Sequence, residues 1–416
     1  MPTLDALIIG AILCIWILLL INVILLCAGY RYYTKIEKEK PRITSRYPTV
    51  SILVPAHNEG KVIGRTVNSL LAFNYPPEKY EIIVINDNST DNSAEVLEEI
   101  KRKNPDRRLT IVNNRTRGGG KGKSNALNIG LEHCSDSEYL MVYDADNTPE
   151  KNALLYLASE IDADPQLGAV IGKFRTRNKE TNILTRFINI ETLFFQWMSQ
   201  AGRWQLFKLC TIPGTNYIVR TSIIREIGGW DVRAIAEDTE ISYRIYMMGY
   251  LIKFYPKAVT WEQEPQTLKV WFKQRTRWVK GNVYVIFKNL PLLFSKKAKK
   301  VRFDILYSIG IYFLLLASLI ISDTVLIFNL FDWAHSSIAE FSNLLWLMAF
   351  SLFVLSTFIS LITEKGEMRL SNVFIIIFMY VTYCKMWMAV AFYGIVVFLI
   401  DVVFKRGNKW YKTERF

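Results

Sequence analysis

The chain has 416 residues, of which 51% are hydrophobic and 21% are charged, with 51 lysines and arginines against 38 aspartates and glutamates. This apolar, aromatic-rich composition excludes a disordered protein and is unusual for a soluble enzyme. The five cysteines and three histidines are scattered, which excludes a disulfide scaffold and a zinc site. Residues 1–30 and 301–416 together carry no net charge, so the excess of +13 belongs to residues 31–300. A basic middle region suggests an anionic substrate, an anionic membrane surface or both.

The chain begins with an apolar segment, Ala6–Tyr30, that has no charged residue and exceeds the roughly 20 residues needed to cross a bilayer. It is longer than a signal-peptide core and has no clear cleavage site, so we predict a membrane anchor in residues 1–30. Basic residues, beginning with Arg31, follow directly. Because such residues stay on the cytoplasmic side, we expect the amino terminus outside and residues 31–300 in the cytoplasm. Within that region, the aromatic-rich residues 184–209 predict an interface helix that docks on the bilayer.

Between residues 49 and 143, β-rich runs alternate with helical ones. The predicted strands are Thr49–Pro55, Glu81–Asn86, Leu109–Asn113 and Tyr139–Tyr143, and the predicted helices are Lys61–Phe73, Ser93–Lys103 and Lys123–His133. This alternation predicts an α/β fold with a parallel sheet and helices on both faces. Ligands bind beyond the carboxyl ends of such strands, so the polar clusters found there should share one edge of the sheet.

Two polar clusters follow the first two strands, at residues 55–59 (PAHNE) and 86–91 (NDNSTD). Asn, Asp and Ser favour turns and helix caps, which is the simpler interpretation of both clusters. A carboxylate at this edge could also accept a hydrogen bond from a nucleobase imide or a ribose hydroxyl. The sequence leaves both interpretations open.

A glycine-rich run, residues 118–124 (GGGKGKS), opens the third predicted helix. It lacks the GxxxxGK[ST] spacing and is therefore not a Walker motif. Backbone amides at a helix start, together with lysines, suit an anionic diphosphate. A flexible basic loop is the other interpretation.

The fourth predicted strand ends in Asp144-Ala145-Asp146. Two carboxylates that flank a small residue can hold Mg²⁺ or Mn²⁺, because these ions prefer oxygen ligands and bridge to substrate phosphates. Short acidic motifs are common by chance, but this one follows a buried strand and shares its edge with the other clusters. We therefore predict a metal site here.

A second acidic pair, Glu237-Asp238, lies before another predicted helix. The pair is either a helix cap or the source of a general base for a hydroxyl nucleophile. Residues 274–278 (QRTRW) lie in a segment with aromatic residues at helical spacing, which is typical of an amphipathic helix on a membrane surface. Gln274 and Trp278 are four residues apart, so they would face a sugar or a diphosphate together.

Three apolar stretches make residues 301–416 a second membrane region. They lie at about residues 305–331, 341–362 and 373–400. Asp323 in the first stretch and Lys385 in the third either reach toward the membrane surface or line a polar path. Three full crossings would leave the basic tail, residues 405–416, outside, against the positive-inside tendency. Either the tail departs from that tendency or one stretch is interfacial or re-entrant.

The order of DxD, then ED, then QxxRW resembles the processive membrane family-2 glycosyltransferases, which include cellulose, hyaluronan, chitin and poly-N-acetylglucosamine synthases. The resemblance covers residues 49–281 and extends to the flanking apolar segments. It implies a cytoplasmic GT-A domain with interface helices, a UDP-sugar donor, a growing glycan acceptor and Mg²⁺ or Mn²⁺ as cofactor. The bilayer and export subunits would be further partners, and no nucleic acid is expected.

The resemblance also implies roles on the donor side. Asp87, with Ala56 and Glu59, would form the uridine pocket, and Lys123 would bind the donor. Asp144 would face the donor and serve as a second metal ligand. The principal metal ligand, Asp146, follows two residues later.

On the acceptor side, the resemblance makes Asp238 the general base, with Glu237 beside it. The diphosphate and the acceptor end would be held by Gln274, Arg277 and Trp278. The loop beside the acceptor terminus would contain Gly214 and Thr215.

Three departures from the family pattern stand out. Asn86 replaces the first acid of the uridine motif, which leaves Asp87 to act alone, and Ala236 replaces the usual Thr before Glu-Asp. No PilZ-like domain follows the membrane segments, so control by a cyclic dinucleotide is not indicated.

The expected protein is therefore an inverting synthase of a β-linked polysaccharide in a plasma membrane, bacterial by resemblance. One alternative is an enzyme that transfers a single sugar to a membrane lipid; the QxxRW motif favours the polymer. Another is a non-catalytic protein that binds a nucleotide-sugar or glycan. The intact acidic set speaks against a binder, because binding needs no general base.

Overall fold

The computed structural model describes residues 2–115, 122–331 and 339–404. The strands are β1 Val50–Ala56, β2 Tyr80–Asp87, β3 Leu109–Asn114, β4 Tyr139–Val142, β5 Thr148–Pro149, β6 Leu167–Thr176, β7 Tyr217–Arg220 and β8 Leu251–Glu262. The helices up to residue 289 are α1 Pro2–Lys38, α2 Ile63–Leu71, α3 Ser93–Lys103, α4 Lys123–Glu132, α5 Ala153–Asp162, α6 Ile183–Phe194, α7 Arg203–Phe207, α8 Thr221–Glu226, α9 Glu237–Met247 and α10 Leu268–Asn289. The later helices are α11 Lys299–Ile309, α12 Leu316–Leu330, α13 Ala339–Ile362, α14 Leu370–Val381 and α15 Tyr383–Val403.

Shorter helical turns connect several of these elements. Two π-helical segments, Phe195–Gly202 and Gly310–Leu315, join α6 to α7 and α11 to α12. Three 3₁₀ turns lie at Pro77–Lys79, Leu290–Phe294 and Lys296–Ala298. Within the described residues, α6, its π segment and α7 therefore form one continuous helical stretch, as do α11 and α12.

The strands form one mixed sheet in the order β3-β2-β1-β4-β7-β6-β8-β5. Strands β3, β2, β1 and β4 are parallel, with Leu53 opposite both Ile83 and Val142. The α/β class and the four predicted strands are confirmed, with ends within a residue or two of the prediction. The predicted parallel arrangement of these four strands is confirmed. The later strand β7 runs antiparallel to both β4 and β6, which makes the whole sheet mixed.

The core lies on both faces of this sheet. Ile52, Leu53 and Val54 are successive and completely buried, which is the pattern of a strand covered on both sides. Each such side chain contributes roughly 1.5–3 kcal/mol to folding. Gly130 of α4 lies directly over Leu53 and Ile85, so the helix approaches the sheet closely because this position has no side chain.

Within the described part of the chain, four apolar helical segments are long enough to cross a membrane: Asp5–Lys38, Lys299–Phe328, Asn343–Ile362 and Leu370–Val403. The first is fastened to the α/β domain. A Cβ atom at Gly29 would lie 1.8 Å from the Trp197 carbonyl oxygen, and one at Gly202 would lie 2.1 Å from that of Leu25. Beyond this crossing, the Tyr32 hydroxyl donates a hydrogen bond of 2.6 Å to the Phe254 carbonyl.

The aromatic-rich residues 184–209 lie between the α/β domain and the apolar helices. Phe187 contacts Phe378, and Trp197 contacts Tyr33. Phe187 and Trp197 are both buried. We predicted that this segment docks on the bilayer, and docking stays a prediction. These two rings contact the chain's own apolar helices, while Phe195 and Phe207 of the same segment are exposed.

The connection between α13 and α14 is bound to the α/β domain by buried charges. Glu364 forms ion pairs with Lys173 and with Arg175, the latter at 3.2 Å. Glu367, which is 3% exposed, pairs with Lys179 and Arg175. Since removing one partner of a buried ion pair costs about 3–5 kcal/mol, this network fixes the end of α13 against β6.

The last apolar segment is a helix distorted at one residue. Thr382 has φ −117° and ψ −73°, while its amide still donates to the Phe378 carbonyl at 3.2 Å and its carbonyl accepts from the Met386 amide at 3.0 Å. The start of α14 contacts the domain through Arg186 and Asn372, whose side chains are 2.8 Å apart. The end of α15 contacts it again through Lys280 and Asp401, at 2.5 Å. Both ends of the segment therefore lie against the α/β domain.

The two charged residues within the apolar stretches pair with each other. Lys385 on α15 donates hydrogen bonds of 2.7 and 2.6 Å to the two carboxylate oxygens of Asp323 on α12. Neither residue lines the large cavity that contains the predicted site. The pair joins two helices and does not extend that cavity as a polar path.

Candidate active site

One cavity of about 680 Å³ begins at the carboxyl ends of β1, β2 and β4 and continues to α1 and the π segment Gly310–Leu315. Every predicted site residue lines it. These residues are Ala56, Glu59, Asp87, Lys123, Asp144, Asp146, Gly214, Thr215, Glu237, Asp238, Gln274, Arg277 and Trp278. The fold thus brings together residues spread over more than half of the chain, while the roles that the resemblance assigns to them stay predictions.

The end of the cavity predicted to bind the donor is formed by the residues that follow β1 and β2. Asp87 is 3% exposed, and its Oδ1 accepts hydrogen bonds from the side-chain amides of Asn88 and Asn114, at 2.9 and 2.7 Å. The turn chemistry belongs to other residues of the two clusters: Asp91 accepts from the Gly60 amide, and Asn58 from the Thr90 amide. Asp87 is therefore held as a cavity carboxylate and does not cap the following helix.

Lys123, the first residue of α4, is the centre of the charged part of the site. Its ammonium group donates to Asp144 Oδ1 at 2.5 Å and to the Gly214 carbonyl at 2.6 Å, and it lies 3.6 Å from Glu237 Oε1. Burial alone disfavours the charged lysine, but Asp144 and Glu237 outweigh this and raise the pKa of Lys123. The lysine is thus held as a cation. The preceding part of the glycine-rich run, residues 118–121, lies outside the described residues.

The two carboxylates of the DxD motif have different surroundings. Asp144 pairs with Lys123, and its backbone amide donates to Thr215 Oγ1 at 3.0 Å. Asp146 is 4% exposed and lies beside Asn147, whose side-chain amide is 3.5 Å from its Oδ1. Thr215 thus links the predicted acceptor loop to the end of β4, so this hydrogen bond fixes the position of the loop relative to the DxD motif.

The donor set suits a divalent metal that a substrate helps to hold. Among the described residues, no three His, Cys, Asp or Glu side chains are grouped to hold an ion. The protein offers the Asp146 carboxylate as a metal ligand. Asp144 can be a second ligand through the oxygen that is not paired with Lys123. Mg²⁺ commonly binds one or two carboxylates together with substrate phosphates, which matches this incomplete set.

Glu237 and Asp238 open α9 on the opposite side of Lys123. The Asp238 Oδ1 atom accepts a hydrogen bond of 2.7 Å from the Thr239 amide. Gly214 has φ +87°, and a Cβ atom there would lie 2.8 Å from Asp238 Oδ2 and 3.4 Å from Lys123 Nζ. Only glycine suits this position, because it adopts the left-handed backbone and leaves space between the two charged groups.

Burial is the main cause of the altered acidity of this pair. It raises the pKa of Glu237 to about 7, with Lys123 opposing and Asp238 adding to the rise. It raises the pKa of Asp238 as well, again against the effect of Lys123. Two neighbouring buried carboxylates cannot both ionise as easily as exposed ones, so this is the place in the cavity where a proton is most readily held.

The QxxRW segment forms the wall opposite the strands. It lies in α10, whose N-cap Thr267 accepts from the Val270 amide at 3.4 Å. Gln274 is buried, whereas Trp278 is 39% exposed. Their four-residue spacing places both on the cavity side of the helix, as predicted. The helix packs on the α/β domain and α15, with Gly394 against Val279.

Sequence reasoning missed several residues of this wall. Arg275 is 1% exposed and contacts Gln274, Trp278 and Glu191. It lies inside the QxxRW motif, so attention to the intervening positions could have found it. Glu191 on α6 and Trp387 on α15 also line the cavity, but no spacing in the sequence links them to α10.

Comparison with known proteins identifies the class. Residues 48–281 match the family described as Glycosyltransferase like family 2. The probable glycosyltransferase YdaM of Bacillus subtilis is 45% identical over 405 residues, which is 97% of this chain and 96% of that protein. The poly-beta-1,6-N-acetyl-D-glucosamine synthase of Staphylococcus epidermidis is 32% identical over 289 residues, covering 69% and 67%.

A solved structure has the same fold. The mannosyltransferase PcManGT from Pyrobaculum calidifontis, in complex with GDP-Man and Mn²⁺, gives a TM-score of 0.60 at 20% identity, over 94% of this chain and 99% of that one. The chain belongs to glycosyltransferase family 2. It is a glycosyltransferase with a GT-A domain and is homologous to polysaccharide synthases, which confirms the family predicted from DxD, ED and QxxRW.

The raised pKa values of the acidic pair predict how transfer depends on pH. A carboxylate accepts a proton only when ionised, so the rate falls as the pH falls through its raised pKa. We expect the acid limb of kcat/KM to lie well above the pKa of about 3.9 of an exposed aspartate. Lys123→Met removes the cation that opposes the rise, so the pKa of Asp238 rises further and the acid limb moves to higher pH. An acid limb at the same pH in both proteins would contradict this coupling.

Proposed function

We propose that this chain is a membrane-embedded inverting glycosyltransferase that extends a β-linked polysaccharide from a UDP-sugar donor and helps to export it. The observation that carries this proposal is the placement of Asp238 beside Gly214 and Lys123, in the cavity that also contains Asp87, Asp146 and the QxxRW wall. A base, an anion-binding cation and a metal-binding carboxylate thus surround one space that can hold a sugar.

In this mechanism Asp238 takes the proton from the acceptor hydroxyl. The hydroxyl oxygen attacks the anomeric carbon from the face opposite the diphosphate and forms the new glycosidic bond. The bond to the diphosphate oxygen breaks, and its electron pair leaves with the nucleotide. One displacement inverts the anomeric centre, so an α-linked donor gives a β-linked product without a covalent sugar–enzyme intermediate.

The leaving diphosphate needs positive charge around it. Lys123 and Arg277 line the cavity and supply cations from two sides. Asp146, with Asp144, would hold Mg²⁺ or Mn²⁺, which neutralises charge on the departing oxygens. Fixed groups of this kind act without reorganisation in a water-poor site and contribute several kcal/mol to catalysis.

The relatives support a polymer of N-acetylglucosamine as the first product to test. The synthase of Staphylococcus epidermidis makes poly-beta-1,6-N-acetyl-D-glucosamine by its name, and it matches over about two thirds of both chains. The alternative is transfer to a membrane lipid. It is favoured by the apolar arm of the cavity, where Phe194, Phe195 and Ile311 line a route toward the membrane helices.

Replacing the proposed base tests the mechanism directly. Asp238→Asn keeps the shape of the side chain but cannot accept the proton, so we expect transfer to fall by about 10²–10⁴-fold. Donor binding, measured by calorimetry with the UDP-sugar, should persist, because Asp238 does not contact the nucleotide in this scheme. The matched control is Asp136→Asn, since Asp136 is fully exposed on the surface. Transfer by Asp238→Asn at the rate of the control would refute the role.

We also propose the arrangement of the chain in a plasma membrane. The domain is cytoplasmic, α1 has its amino terminus outside, α11–α12 crosses outward and α13 returns. The α14–α15 segment does not cross the membrane, since Arg186–Asn372, Tyr383–Glu191 and Lys280–Asp401 tie its start, middle and end to the domain. This arrangement fits the interfacial or re-entrant alternative of the sequence analysis, and it keeps the end of α15 on the cytoplasmic side.

Cysteine labelling distinguishes this topology from a fourth crossing. In a variant whose five native cysteines are replaced, Val403→Cys and Phe331→Cys place single thiols at exposed positions. We expect a membrane-impermeant maleimide to label Phe331→Cys in intact cells, and Val403→Cys only after permeabilisation. Lys103→Cys, in the α/β domain, marks the cytoplasmic side. Labelling of Val403→Cys in intact cells would show that α14–α15 crosses the membrane.

A further inference from the structure

An acidic side chain on α6 faces the cavity but is not needed for the proposed displacement. Glu191 lines the cavity, and 24% of its side chain is exposed. Its Oε2 atom accepts a hydrogen bond of 3.1 Å from Arg275 on α10 and another from the Tyr383 hydroxyl on α15. Three helices thus meet at this carboxylate, and the hydrogen bonds from Arg275 and Tyr383 fall on the same oxygen. The carboxylate is held in one orientation, with part of its surface in the cavity.

Two tryptophans adjoin this carboxylate. The guanidinium carbon of Arg275 lies 3.9 Å from the centre of the Trp278 ring and 5.7 Å from that of Trp387. Both rings line the same cavity as Glu191. Trp387 is further fixed by Trp271, whose ring meets it edge-on with centres 6.0 Å apart. Arg275 therefore lies against both rings and holds them beside Glu191.

The stability of the fold does not explain this cluster. A buried ion pair such as Arg275–Glu191 loses its hydration, and well-packed apolar side chains of similar volume are often at least as stabilising. Arg275 is 1% exposed, so its desolvation is nearly complete. Charges placed at the wall of a substrate cavity are better explained by what the cavity binds.

The chemistry of the cluster matches a sugar ring. Aromatic faces bury the apolar C–H surface of a pyranose, while a fixed carboxylate and an amide take hydrogen bonds from its hydroxyls. Glu191, Gln274, Trp278 and Trp387 supply these groups on one side of the cavity. Hydrogen bonds to a charged group are stronger than those between neutral groups, so one fixed carboxylate can hold a sugar unit in register.

We propose that Glu191 and Trp387 extend the acceptor site, which the family resemblance places at Trp278, by forming a subsite for one sugar unit of the acceptor chain. The inference rests on the proposed function, because a transferase that extends a glycan must hold that glycan while the donor is replaced. It adds that α15, the last helix of the membrane region, builds one wall of the site. Glu191 binds hydroxyls of the acceptor and takes no part in proton transfer.

The test separates acceptor binding from donor chemistry. Glu191→Gln removes the charge, Trp387→Ala removes the ring, and Trp387→Phe restores an aromatic face. The matched controls are Glu226→Gln, on an exposed helix end, and Phe392→Ala, an exposed ring on α15. The probes are a β-1,6-linked N-acetylglucosamine pentasaccharide and cellopentaose, titrated by calorimetry into the detergent-solubilised full chain with UDP present. Nucleotide release from UDP-N-acetylglucosamine without an acceptor is measured in parallel.

We expect the wild type and both controls to bind one of the two oligosaccharides, and Glu191→Gln and Trp387→Ala to bind it roughly 10- to 100-fold more weakly. Trp387→Phe should recover part of the affinity, and UDP binding should be unchanged in every variant. Three results would overturn the subsite: the wild type binds neither oligosaccharide, the two variants bind as well as the controls, or UDP binding falls together with oligosaccharide binding. Because calorimetry needs no turnover, a protein that binds the glycan but transfers nothing would contradict the proposed function and leave the subsite supported.

Discussion

The buried charge of Lys123 is the constraint on which the site depends. A lysine ammonium group without compensation inside a protein costs several kcal/mol, so its partners must stay in place. Those partners come from three separate segments: Asp144 after β4, the Gly214 carbonyl in the loop before β7, and Glu237 at the start of α9. A single side chain therefore connects the proposed metal-binding edge, the predicted acceptor loop and the proposed base. Glycine at position 214 is part of the same constraint, because a side chain there would come between Lys123 and Asp238.

The apolar helices are part of the enzyme and do more than anchor it. Helix α1 crosses the π segment of residues 195–202 at two glycines, and the α13–α14 connection is bound to β6 by buried ion pairs. Helix α15 packs along α10, which presents Gln274 and Trp278 to the cavity. The geometry of the wall formed by α10 is therefore set by helices that a soluble GT-A domain would lack. These helices account for a cavity that runs from the carboxyl ends of the strands to α1.

Much of the fold could be predicted from the sequence, because parallel strands and motif residues have strong local signals. The continuous apolar run of β1 and the bounds of α3 are examples. The mixed sheet could not be predicted, since β7 has four residues and its direction depends on distant pairing with β4 and β6. The same limit applies to Glu191 and Trp387, which join the site through helix packing. The distortion at Thr382 could not be predicted either, because residues 370–403 have the apolar composition of one long membrane-spanning helix.

The most direct test of the central claim is to follow nucleotide release and product size together for the purified chain in lipid nanodiscs. The protein would be given a panel of UDP-sugars, including UDP-N-acetylglucosamine, with and without Mg²⁺ or Mn²⁺. If the chain is a polysaccharide synthase, we expect metal-dependent UDP release and a high-molecular-weight product that a linkage-specific β-glycanase degrades. Release of UDP with only a short, lipid-extractable product would contradict the polymerase function and establish transfer to a lipid instead.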